Sequence, residues 1–238
     1  MDLRFHNKNI VVDSGKDPGY ARHVLDILER INGWDTGRWL IWAIGTLSGK
    51  TLRIIKCMHP SDTSAEPDGL KYGDASPKGD LAFGVDPKTK DIVGGNIGTG
   101  RGTSAHIWFS PDHWNGSRGP GSRADEVLIH EMVHSLRMME GKTVGKATKG
   151  IGNFDLLEEF FAVLLANIYI SEKAAGSVTR LRRDHHAFNE LLLPDKFLDS
   201  QLNREWTKQF VTESKWWTSS IAKEADMFIK FNPLRNLN

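Results

Sequence analysis

Residues 127–136 read Val-Leu-Ile-His-Glu-Met-Val-His-Ser-Leu. Three of them, His130, Glu131 and His134, have the types and spacing of a metal-assisted hydrolytic site. Imidazoles four residues apart leave one face of a helix with Cβ atoms about 5–6 Å apart, close enough to share an ion. Zinc takes imidazole nitrogen at about 2.0–2.1 Å and polarises a water beside it. Glu131 follows the first ligand directly and is placed to accept that water's proton, as a general base must. With 9 histidines among 238 residues, chance gives roughly 0.02 matches to His-Glu-x-x-His. Apolar residues flank the motif on both sides. The bland alternative is a pair of core histidines around a solvent-facing glutamate.

Two histidines do not complete a zinc site, so a third protein ligand is required. A metzincin continuation would place Gly and His three and six residues after His134, where the chain has Arg137 and Glu140. Carboxylates on a following helix are the next candidates. The run Asp-Leu-Leu-Glu-Glu-Phe-Phe-Ala from Asp155 supplies three. With Asp155 as N-cap, Glu158 falls at the third helical position and closes a capping box, which leaves Glu159 to face inward with Val163. Glu159 is therefore preferred, with Glu158 and then Asp155 as alternatives. Acidic residues also favour a helix start on electrostatic grounds alone.

The motif works only on a helix, and the local sequence predicts one. Ser122 with Asp125 resembles a capping box, apolar Val127, Leu128, Val133 and Leu136 follow, and Gly141 is placed to end the helix in a left-handed turn. Upstream, 9–12 reads as a strand, Pro18 opens a helix stopped by Gly33, Gly37–Leu47 reads as a second helix and Thr51–Cys57 as a strand. Residues 58–79 read as an irregular excursion. Short β pieces at Leu81–Val85 and His106–Phe109 surround the glycine-rich segment 94–102, and the chain after Ser122 is largely helical. Strands early and helices late predict an α+β fold with a small mixed sheet, a site-bearing helix and a helical C-terminal half. The whole of 1–238 is read as one domain.

His-Glu-x-x-His followed by a helix bearing Glu159-Phe160-Phe161-Ala162 resembles the gluzincin class of zincin metallopeptidases, and is similar to the ligand helix of lethal-factor-type toxins. The resemblance implies Glu159 as the third zinc ligand beside His130 and His134, with Glu131 as catalytic base in peptide-bond hydrolysis. More broadly the chain resembles bacterial secreted effector metallopeptidases, including domains fused to type VI secretion VgrG spike proteins. It covers roughly Ala105 to Tyr169. It implies a protein or peptide substrate, delivery into a target cell, and an immunity protein or a larger spike chain as partner. A zinc amidase acting on cell-wall peptide and a binding module with structural zinc are the rival readings.

Other features carry weaker signals. Gly98-Thr-Gly-Arg-Gly-Thr lacks the Gly-Lys-Ser/Thr ending of a phosphate loop and reads as a hairpin or a site rim. His106–Phe109 reads as a sheet edge able to align a peptide, or as an ordinary edge strand. His185-His186 could reach the site from a later helix and polarise a carbonyl, or could lie exposed beside Arg182, Arg183 and Asp184. Trp216-Trp217 could stack on a ring, although eight scattered tryptophans point to packing. The loop 141–152, with its lysines, reads as a cleft border or a solvated connector.

Composition bounds the rest. With 31 basic and 30 acidic residues the formal net charge is +1, which argues against duplex nucleic acid as a partner. No apolar run approaches the roughly 20 residues of a membrane helix. The first nine residues are polar, so no signal peptide is read there. The lone Cys57 excludes an internal disulfide and a cysteine-rich metal site.

Overall fold

The computed structural model describes residues 2–5, 8–59, 63–85, 92–145, 148, 154, 156–174, 180–185, 191–192, 194–224 and 231–236. The fold is mixed α/β, and the chain divides into two compact units. The first takes Met1–Asp26, Trp42–Ser110 and Glu131–Lys146; the second takes Ile27–Ile41, Pro111–His130 and Ala147–Asn238.

Strands β1 (Asp2–Phe5), β2 (Ile10–Asp13), β3 (Leu52–Lys56), β4 (Ser64–Pro67) and β7 (Ala105–Phe109) build the first unit's five-stranded sheet, in the order β1-β2-β3-β7-β4. The pairs β2–β3 and β3–β7 are parallel, and both outer pairs are antiparallel. Residues alternate between buried and half-buried along β3 and β7, so Leu52, Ile54, Ala105, Ile107 and Phe109 share a fully covered face. Two sequence expectations are corrected here. β7 is not an edge: β4 covers it, and β4 comes from the stretch read as irregular, together with the short helix α3 (Tyr72–Ala75). A four-residue strand ending in proline gives too weak a period-2 signal to be seen locally. What stabilises it is non-local: Glu66 on β4 lies 3.1 Å from His106 Nε2 and accepts the Trp108 indole N–H at 3.3 Å. Cys57, just after β3, is buried.

The glycine-rich segment begins inside β6 (Ile92–Ile97), which pairs antiparallel with β5 (Leu81–Val85), and runs on beyond it. Its backbone is pinned by Thr99 N–H to Gly73 O at 2.8 Å, Gly100 N–H to Ser76 O at 2.9 Å and Gly102 N–H to Asp74 O at 2.8 Å. It then packs on the end of α4 (Ala124–Glu140), the helix that carries the motif. Gly141 sits at φ +73°, its N–H reaches Met138 O at 3.1 Å, and Lys142 N–H reaches Arg137 O at 2.8 Å. These are the paired bonds of a Schellman turn. Thr103 N–H also reaches Met138 O, and the Lys50 ammonium caps Met139 O. The last-turn carbonyls of Arg137, Met138 and Met139, which a helix leaves unpaired, therefore find donors here. Gly102 is at φ +67°, and a Cβ there would stand 1.9 Å from Met139 O.

In the second unit, α5 (Leu157–Lys173) is buried along almost its whole length, and α6 (Gln201–Glu224) packs on it through aromatic rings. Phe160 meets Trp206 at 5.2 Å, Phe161 meets Phe210 at 5.2 Å, and Phe210 meets the fully buried Trp217 at 5.9 Å. The two phenylalanines after Glu159 thus anchor α5 from one side. Trp216 is exposed. Helix α1 (Pro18–Asn32) starts as read, with Pro18 in the first turn and the Asp17 carboxylate accepting the Tyr20 N–H at 3.0 Å. Helix α2 (Asp35–Thr46) is capped from α5, because Glu172 accepts the N–H groups of Asp35 at 2.6 Å and Thr36 at 3.1 Å. Burial raises the Glu172 pKa, and the two N–H donors oppose that rise.

The glycine packing predicts that Gly102→Ala lowers stability by about 2–4 kcal/mol, from overpacking plus a left-handed backbone. Urea unfolding monitored by tryptophan fluorescence measures this; a loss below about 0.5 kcal/mol contradicts the packing described.

Candidate metal centre

Helix α4 begins one residue later than a Ser122 cap requires. Ser122 instead donates its hydroxyl to Gly119 O. The back-reaching carboxylate is that of Glu126, which accepts the N–H of Gly121 at 2.7 Å and of Arg123 at 3.3 Å. Asp125, freed from that task, accepts the Tyr169 hydroxyl at 2.9 Å and pairs with the Lys173 ammonium, which also meets Glu126 at 3.0 Å. Two acids at the start of α4 thus face a lysine in the last turn of α5, so charge and helix dipole agree at both ends. This ties the first turn of α4 to α5.

The motif residues follow on α4. His130 is 4%, Glu131 8% and His134 7% exposed. His130 and His134 stand one turn apart on the same helix, as the sequence implied; Glu131 and His134 fall among the first unit's residues and His130 among the second's.

A second tie between α4 and α5 is made at His130, whose Nε2 lies 3.2 Å from Glu159 Oε2. Glu159 thus faces His130, for a different reason than the sequence suggested. The N-cap of α5 is Leu156, with no side-chain cap, so Glu158 is the second helical residue and closes no capping box. Asp155 lies outside the described residues. Glu158 is buried at 3%.

His185 also reaches this point. Its Nε2 is 3.1 Å from the same Glu159 Oε2, and its ring stacks on that of His130 at 5.8 Å with planes 4° apart. It comes from a bend after the short strand β8 (Leu181–Arg182), which pairs with β9 (Leu191–Leu192), and not from a helix; His186 lies outside the described residues. The bend is held from within. Asn167 on α5 donates to Arg182 O and accepts the Arg182 N–H, both at 2.9 Å, as a neighbouring strand would. The buried Arg182 guanidinium donates to Asp184 O at 2.8 Å and to His185 O. The sequence does not single out Asn167, and it offers Arg182 only as a neighbour of an exposed histidine pair, whereas Arg182 is buried. The one signal was an asparagine in the otherwise apolar run Phe160–Ile170.

Ligand atoms of His130, Glu159 and His185 all lie within 4.8 Å of one another. Donors about 2.0–2.1 Å from a tetrahedral ion are separated by about 3.3–3.4 Å. The 3.2 and 3.1 Å separations match two such edges, and a nitrogen, nitrogen, carboxylate set can hold a metal ion. The residues present fit a metal ion. No family model matches the chain, and no curated protein matches it.

The tie at Asp125 carries a pH signature. Burial opposes ionisation there, but the Lys173 ammonium and the Tyr169 hydroxyl outweigh it, and the pKa falls below the ordinary 3.8. A depressed folded-state pKa contributes stability that is present above the unfolded value and lost as pH falls through the folded one. Urea unfolding across about pH 5 to 2 should therefore show a steeper loss below about pH 4 in the wild type than in Asp125→Asn. At neutral pH that variant should lose about 1–2 kcal/mol, since Glu126 still pairs with Lys173. Parallel acid limbs for the two proteins would contradict this.

Proposed function

We propose that the chain is a zinc-dependent metallopeptidase of zincin type, with His130, His134 and Glu159 as metal ligands and Glu131 as general base. The observation that supports it most is the 3.2 Å approach of His130 Nε2 to Glu159 Oε2. These residues lie on different helices, and their separation suits two donors around one ion. His134 joins the set through its helical spacing from His130. Zinc, when bound, supplies the Lewis acidity that makes water a nucleophile near neutral pH. Glu131 takes the proton of the attacking water and hands it to the departing amine. Protein or peptide is the substrate class, and a bacterial secretion-system effector domain is the setting that the motif's resemblance suggests. A zinc amidase of cell-wall peptide would use the same residues.

The second reading is a binding module with structural zinc. It is favoured by the additional nitrogen donor from His185, because structural sites are closed by four protein ligands.

Zinc content of the purified chain tests the metal set. We expect about one zinc per chain, lost in His130→Ala and Glu159→Ala and retained in Glu158→Ala, all folded by circular dichroism. Absence of zinc after metal is added back rejects the proposal. Glu131→Gln separates the two readings: zinc and fold persist in both, but peptide hydrolysis falls at least about a hundredfold only if Glu131 is the base.

A further inference from the structure

We propose that His185 is itself a protein ligand of this metal, completing with His130 and Glu159 a His-Glu-His donor set that lies within the second unit. The inference rests on the metal reading above and adds a residue to it.

Three observations carry it. The first is the donor geometry. One oxygen, Glu159 Oε2, receives the Nε2 of both rings at 3.2 and 3.1 Å, and the rings are parallel within 4°. Without a cation, a single carboxylate oxygen accepts both rings only if each carries its proton on Nε2. A cation among the three atoms uses both nitrogens as neutral lone-pair donors and the oxygen as the charged one.

The second is the investment in placing His185. Arg182 is 4% exposed, and its guanidinium donates to the backbone oxygens of Asp184 and His185. Its own peptide group is clasped on both sides by the Asn167 side chain. Gly121, at φ +86°, leaves room for its stem, since a Cβ there would stand 2.9 Å from Arg182 Cδ. The buried arginine and asparagine direct their hydrogen bonds to this one bend, and so fix the backbone that carries His185.

The third is that α5 holds both the bend and the carboxylate. Asn167 lies two turns along the helix from Glu159, so one rigid element sets both the carboxylate and the histidine beside it. Arg182 and Asn167 are positioning residues, which act through His185.

The experiment compares the full chain with His185→Ala and with the bulkier His185→Gln. Zinc affinity is measured by chelator competition, and the visible spectrum is recorded for the Co2+-substituted proteins; thermal unfolding of the metal-free forms controls for folding. Ligation predicts an affinity loss of about tenfold or more in both variants, with shifted Co2+ bands. Affinity within about twofold of wild type and an unchanged Co2+ spectrum would overturn it, since a donor that only met substrate would leave both untouched. A wild type that binds no metal overturns this inference and the metal reading together. Zinc that is lost in Glu159→Ala but indifferent to His185 overturns this inference alone.

Discussion

A helix enclosed on nearly every side must find a partner for each polar group it carries, and α5 is governed by that condition. Its polar side chains reach several other segments. Glu159 meets His130 and His185, Asn167 clasps Arg182, Tyr169 and Lys173 reach Asp125, Ser171 accepts the Phe231 N–H, and Glu172 caps α2. The same bonds that remove the penalty of buried polarity also fix where the second unit's other parts stand. Phe160 and Phe161 supply the apolar counterpart, wedging the helix against α6 so that Glu159 cannot turn away.

The two halves of α4 are secured by different physics. At its start the fastening is ionic and hydrogen-bonded, through Glu126 on the preceding backbone and Asp125 on Lys173 and Tyr169. At its end it is steric, through glycines that let one backbone lie directly on another, with donors for the carbonyls of Arg137, Met138 and Met139.

What the sequence disclosed follows from the range of the forces involved. The Pro18 start of α1, the Gly141 turn and the spacing of His130 and His134 are set within a few residues, and all three are readable locally. The pairing of β7 with β4 spans about forty positions and depends on Glu66 meeting His106 and Trp108, which no local pattern announces. The cap of α4 is displaced because Asp125 and Glu126 are chemically alike, and Tyr169, 44 residues on from Asp125, holds Asp125 while Glu126 reaches back. Glu159 was the glutamate preferred, yet the capping argument behind that preference fails at Leu156. His185 was noticed as a residue but not as a placed one, because its support consists of backbone contacts from Asn167 and Arg182.

The outer strands of the five-stranded sheet have a bearing on how the chain behaves in company. β1 and β4 are each four residues long, and β4 ends in Pro67, which has no N–H to offer. Glu66, the acidic residue of β4, turns in toward β7. Short margins interrupted by proline are poor templates for a strand from another molecule. The sheet therefore resists stacking edge to edge with copies of itself at the high local concentrations of synthesis, when a mixed sheet with parallel pairs is slowest to close.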